Sequence, residues 1–191
     1  MTSALYDPRI PKSEDCIVAD AIDRWARDNP HKVFVLFADG TSWTFRQLRD
    51  VVRQTAIGLQ QLGVKQGDYV ISWLPNGADA LRVSFAINYL GAINVPANLA
   101  YRGNLLAHVV RNSQAKLIVL HADLLPRLDD IDCAALTQGV VLGGPPRGHA
   151  MLRLHAAEAL SPASGSLAPP ERPIAPWDTQ MVIYTSGTTG P

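Results

Sequence analysis

Short apolar runs alternate with segments of helical periodicity along most of this chain, and no other feature constrains its fold as tightly. Residues 33–37, 69–74, 92–96, 116–120 and 140–142 read as strands, being short, apolar and rich in Val and Ile. Apolar residues recur at helical spacing between them. Ile17, Ala21, Ile22 and Trp25 mark one helix, and Phe45, Leu48, Val51, Val52, Ala56, Leu59 and Leu62 mark a second. A third runs from Pro75-Asn76-Gly77 through Leu81 and Phe85 to Tyr89, a fourth covers about 104–112, and a short one lies near 123–128. Strands apolar on both faces, each followed by a helix, predict an α/β fold with a mostly parallel sheet covered by helices on both faces.

Local signals punctuate that pattern. Asp39-Gly40 is a hairpin turn that returns through Ser42-Trp43-Thr44. Thr44 and Gln47 have the spacing of a capping box, in which each side chain meets the other residue's N–H. Gly63 and Gly91 stand where helices should stop. The rhythm breaks at 143–148, a Gly/Pro loop, and again across 161–176, a Pro/Ser/Ala/Gly stretch without periodicity. The organisation expected is an irregular lead-in over 1–15 and an α/β subdomain over 16–160. A surface linker over 161–177 follows, and then, over 178–191, a strand and loop opening a further substructure.

The chain has equal numbers of acidic and basic residues and hence no formal net charge. No long-range field points to nucleic acid or to an anionic membrane, and there is little electrostatic protection against self-association. No apolar run has the length of a membrane span, and the first eight residues lack the basic and apolar regions of a signal peptide. Cys16 and Cys133 stand far apart, as reduced thiols of a cytoplasmic protein would. His31, His108, His121, His149 and His155 are scattered without metal-ligand spacing, and each reads as a surface or hydrogen-bonded histidine. Asp129, Asp130 and Asp132 read as a solvated turn. No G-x-G-x-x-G and no G-x-S-x-G is present, so a dinucleotide-binding fold and an α/β-hydrolase both lack their anchor. Trp43 and Trp73 read as packing residues.

The chemistry concentrates at Thr185-Ser186-Gly187-Thr188-Thr189-Gly190, led in by the apolar run Met181-Val182-Ile183. Glycines let a backbone approach an anion without a Cβ in the way. Successive N–H groups in a turn form an anion nest, and the hydroxyls add donors that rotate to suit. The loop is a phosphate-binding candidate, although Ser, Thr and Gly also build ordinary turns. It is not a Walker A loop, since Pro191 follows Gly190 where that motif needs Lys. Arg102 is a second candidate. It follows the 92–96 strand, at the strand end where open α/β sheets hold ligands, and a guanidinium binds phosphate oxygens in pairs. The alternative is an exposed arginine at a helix entry.

Tyr184 to Gly190 resembles the signature loop of the adenylate-forming superfamily, the acyl-CoA synthetases, peptide-synthetase adenylation domains and luciferases. Thr41-Ser42-Trp43-Thr44-Phe45-Arg46-Gln47-Leu48 and Leu90-Gly91-Ala92-Ile93-Asn94-Val95-Pro96 resemble that family's first two core motifs, in the family's order. Whole family members run to roughly 500 residues, several domains by the usual size prior. The resemblance thus implies the N-terminal part of an enzyme, ending inside its ATP loop. Asn94 to Gly103 looks most like CoA ligases of the carnitine/crotonobetaine and fatty-acid type.

The activity so implied is AMP-forming acid–thiol ligation. A carboxylate attacks the α-phosphorus of ATP, pyrophosphate leaves, and a thiol, usually that of CoA, attacks the acyl-adenylate. Thr185, Ser186, Gly187, Thr188, Thr189 and Gly190 would hold the ATP phosphates, with Mg²⁺ sharing their charge, and Arg102 would meet CoA. No catalytic residue and no protein metal ligand is expected among these 191 residues, so the chain alone is expected to be inactive. Surface exposed by truncation could make it self-associate. A non-catalytic α/β binding module and an adenylation domain serving a carrier-protein thiol stand as alternatives, with a standalone nucleotide sensor as a weaker one.

Overall fold

A computed structural model describes residues 11–12 and 15–185. Its centre is a five-stranded, wholly parallel sheet in the order β4-β3-β5-β6-β7. The strands are β3 (Tyr69–Trp73), β4 (Ile93–Pro96), β5 (Leu117–His121), β6 (Gln138–Leu142) and β7 (Arg153–His155). An antiparallel hairpin of β1 (Val33–Leu36) and β2 (Ser42–Thr44) stands apart from the sheet and leads into the second helix.

Period-two alternation along the strands divides the core into two layers. Val70, Leu117, Val119, Val140 and Leu142 face one side, under α1 (Val18–Asp28), α2 (Phe45–Gln61) and α3 (Ala78–Tyr89). Ile71, Trp73, Val95, Ile118, Leu120 and Val141 face the other, under α4 (Gly103–Ser113) and a 3-10 helix at Ala122–Leu128. The two-sided α/β architecture is the one that the strand–helix alternation predicts. Trp73 is fully buried, and Trp43 packs edge-on to Phe37 with ring centroids 4.9 Å apart.

The local signals act where the sequence places them. The capping box closes both ways: the Gln47 N–H donates to Thr44 Oγ1 at 3.3 Å, and the Thr44 N–H donates to Gln47 Oε1 at 2.8 Å. Gly63 ends α2 with φ +93°, a left-handed conformation that costs glycine little. Two elements have no sequence forecast, namely β7 and a 3-10 helix at Ala157–Leu160. β7 is a three-residue edge strand whose strand character comes from pairing with β6.

Residues 161–180 run without helix or strand, yet they are tied to α2 and the turn after it. Gln60 exchanges two hydrogen bonds with Ala168, donating to its carbonyl at 3.3 Å and accepting its N–H at 2.9 Å. Gln61 donates to the Ser164 carbonyl, and the Arg172 N–H donates to Gln66 Oε1. Leu167 packs on the sheet's α2 side. The segment is a strap laid across the helix layer, and it delivers the chain to the free edge of β4.

Candidate active site

The strap ends beside β4, where residues 180–182 add a short parallel pairing to the sheet edge. The Asn94 N–H donates to the Gln180 carbonyl at 3.0 Å, and the Val182 N–H donates to the Asn94 carbonyl at 2.9 Å. Buried amides brace this junction. Asn88 Nδ2 donates to the Gln180 carbonyl at 2.6 Å. Asn94 is 1% exposed; it accepts from Ser72 Oγ at 2.8 Å and donates to Ser84 Oγ at 3.0 Å.

The sequence predicts a strand through Tyr184, but the ladder stops after Met181. The next bond in a parallel ladder would come from the N–H of residue 96 to the Val182 carbonyl, and Pro96 has no N–H to give. The chain beyond stays extended, with Val182 and Tyr184 packed toward the α4 layer while Ile183 points out, 62% exposed.

Side chains from α4 and its lead-in take over from the ladder at Tyr184. The Tyr101 hydroxyl donates to the Tyr184 carbonyl at 3.0 Å. Asn112 Nδ2 donates to the Tyr184 hydroxyl at 2.9 Å. The His108 ring meets the Tyr184 ring edge-on, 5.9 Å between centroids and 89° between planes. The lead-in is itself fixed from beneath. Trp73 Nε1 donates to the Asn98 carbonyl at 2.9 Å, the Tyr101 N–H donates to the same carbonyl at 3.0 Å, and Asn98 Oδ1 accepts the Ala100 N–H. Arg127 lies over the Trp73 ring, 5.7 Å from its centroid, and donates to the Leu99 and Tyr101 carbonyls.

Thr185, exposed, leaves this assembly at the carboxyl end of the sheet. Ser186, Gly187, Thr188, Thr189 and Gly190 lie outside the described residues. Arg102 stands exposed immediately before α4, with no hydrogen bond or ion pair among the described residues. Arg102 and Thr185 thus each follow one member of a hydrogen-bonded pair, Tyr101 and Tyr184. Tyr101, His108 and Asn112 have no sequence forecast as partners of Tyr184; the stop that Pro96 imposes on β4 is the available clue that something else must hold the exit.

A cavity at the carboxyl ends of β3 and β4 is lined by Ser72, Asn76, Ser84, Asn94, Asn98 and Met181 among others, and none of its lining residues is charged. Among the described residues no three His, Cys, Asp or Glu side chains converge as a metal site. Other titratable groups serve the scaffold. His155 Nε2 lies 3.0 Å from Gln138 Oε1, and burial, then Arg153, depresses its pKa. Burial pushes the Cys133 thiol up to about 11, aided by Asp132 and Asp129, which leaves it protonated and unreactive at neutral pH. The Asp132 carboxylate accepts the Ala134 N–H, as in an ordinary turn. No helix among the described residues is long and apolar enough to cross a membrane.

Comparison with known proteins places this architecture. Feruloyl-CoA synthase of Amycolatopsis sp is 32% identical over 170 residues, which span 87% of this chain and 30% of that protein. 4-Coumarate–CoA ligase 1 of Petroselinum crispum is 29% identical over 153 residues, 80% of this chain and 27% of that protein. The chain thus spans less than a third of the length of these relatives. The solved long-chain-fatty-acid-CoA ligase from Archaeoglobus fulgidus shares the fold, with TM-score 0.73 and 24% identity over 97% of this chain and 36% of that one. The family profile described as "AMP-binding enzyme" matches residues 22–191, from within α1 through the whole Thr185–Gly190 run, and the chain belongs to that adenylate-forming family.

Proposed function

We propose that these residues are the N-terminal part of an ATP-dependent, AMP-forming carboxylic acid–CoA ligase. One observation carries the reading within the fold. The second core motif and the strand leading to the phosphate loop are bonded together at Asn94, and the loop leaves from the carboxyl end of a parallel sheet. That is where open α/β sheets hold their ligands. In this reading Thr185, Ser186, Thr188 and Thr189 supply hydroxyls, and Gly187 and Gly190 backbone N–H groups, to the phosphates of ATP. Catalysis of this type depends on positioning and on offsetting charge that builds on the leaving pyrophosphate. Mg²⁺ would be held chiefly through the phosphate oxygens. Arg102, exposed and unpaired among the described residues, is proposed to meet a phosphate of CoA. The 191 residues by themselves are proposed to be inactive.

The test is acid-dependent exchange of labelled pyrophosphate into ATP by the whole enzyme, across 4-coumarate, ferulate and long-chain fatty acids. Exchange with at least one acid, followed by CoA thioester formation, is the expected result; no acid-dependent exchange overturns the reading. Thr188→Ala should reduce exchange by about 10²–10³-fold, the usual loss for a donor that acts on developing charge. Acyl transfer from supplied acyl-adenylate to CoA should be largely spared. Equal damage to both half-reactions would assign the loop to a different step.

A further inference from the structure

Resting on that reading, we infer that Tyr101 and Asn112 are positioning residues for the nucleotide half-reaction, acting through Tyr184. Pro96 leaves the Val182 carbonyl without its ladder donor, so β4 cannot fix the direction in which the chain continues. Direction is set instead at Tyr184, by two hydrogen bonds and one ring contact. The Tyr101 hydroxyl holds the backbone carbonyl, Asn112 holds the phenol oxygen, and His108 abuts the ring. All three come from α4 and the turn before it. Tyr184 is covalently joined to Thr185, the first residue of the phosphate loop, so a rotation at Tyr184 re-aims the loop's donors.

The experiment compares Tyr101→Phe, Asn112→Ala and Asn112→Asp in the whole enzyme. Tyr101→Phe keeps the ring and deletes the donor. Asn112→Asp lets the Tyr184 hydroxyl donate to a carboxylate and so restores the bond with its direction reversed. Tyr101→Phe and Asn112→Ala should each lower kcat for pyrophosphate exchange by about tenfold, the scale of one well-made hydrogen bond lost from a positioned group. Asn112→Asp should recover most of that loss. Acyl transfer from supplied acyl-adenylate and the melting midpoint should stay near wild type. A purely structural role would lower the midpoint and both half-reactions together, and unchanged exchange would mean no role; either outcome overturns the inference.

Amide hydrogen exchange separates this inference from the functional reading. Tyr101→Phe should speed exchange at 182–185 and leave 70–73 unchanged. A wild-type enzyme without acid-dependent pyrophosphate exchange would sink the functional reading alone. Amide exchange at 182–185 that ignores Tyr101→Phe would sink this inference.

Discussion

Gly58 of α2 faces the Ala159 carbonyl so closely that a Cβ built on it would stand 2.3 Å from that oxygen and 2.7 Å from Leu160 Cα. Both obstacles are backbone, and Leu160 is fully buried beneath them. Helix propensity alone favours alanine over glycine by about 1 kcal/mol. Overpacking opposes it by about 1–3 kcal/mol and should win here. Gly58→Ala is expected to lower the urea midpoint without changing the slope. A raised midpoint would mean that the 157–160 turn can retreat at little cost.

Asn94 joins Ser72 of β3 to Ser84 of α3 while its backbone holds residues 180–182. Asn94→Ala keeps the backbone bonds and strands the Ser72 hydroxyl in a buried site. The expected cost is about 1–3 kcal/mol by chemical denaturation. Ser72→Ala in the same background should recover part of it, because the orphaned hydroxyl is then gone. Strictly additive losses would show that the two side chains are not coupled.

Burial pushes the Tyr89 phenol up to about 12, and its hydrogen bond to Asp23 and that carboxylate's charge add to the shift against the opposing Arg53. The phenol donates to Asp23 Oδ2 at 2.6 Å and accepts from Arg53 Nη1 at 3.1 Å. A pKa raised on folding contributes stability that is complete below the unfolded value of about 10. That contribution is lost as pH rises through about 12. The urea midpoint of wild type should fall across this window, and Tyr89→Phe should flatten the fall. The wild-type minus Tyr89→Phe phenolate absorbance should titrate near the upper end. A difference titration centred near the ordinary tyrosine value would contradict the arrangement.

Asp178 carries the opposite sign. The Arg172 guanidinium grips its carboxylate at 2.7 and 2.8 Å, and the Ala175 N–H donates to it at 2.8 Å. These bonds, Arg172 first, hold its pKa down at about 2. A pKa lowered on folding contributes stability above the unfolded value of about 4, which is lost as pH falls. The loss runs down through about 2. Carboxyl NMR should place Asp178 at the low end, and Arg172→Ala should move it up toward the ordinary range. No movement would mean that the Ala175 N–H suffices.

What could be read from the sequence, and what could not, divides by range along the chain. Thr44 and Gln47 are legible because a capping box is complete within four residues, and Gly63 because its left-handed turn is its own. The sheet is legible because each strand's two apolar faces require cover on both sides. β7 is not, since Arg153-Leu154-His155 has no apolar pattern and becomes a strand through its bonds to Gln138, Gly139 and Val140. The strap reads as a linker by composition, while its anchoring depends on Gln60, Gln61 and Gln66, about a hundred positions earlier. At the site, the hydroxyl and glycine content of 185–190 is a local signal. The grip of Tyr101 and Asn112 on Tyr184 is not, because no short-range pattern pairs residues 83 and 72 positions apart.

That same separation gives the extended 180–185 segment a place in the order of folding. Holding Tyr184 on Tyr101 closes a loop of more than eighty residues, and it needs β4, α4 and the docked strap to exist beforehand. Closure entropy grows only slowly with loop length, but contacts so distant along the chain are among the slowest to be rewarded. The parallel sheet can therefore assemble first and stand without the exit strand. The 180–185 edge is expected to be the last piece laid down, so a substitution that weakens its hold should speed unfolding of that edge while leaving the folding rate of the sheet unchanged.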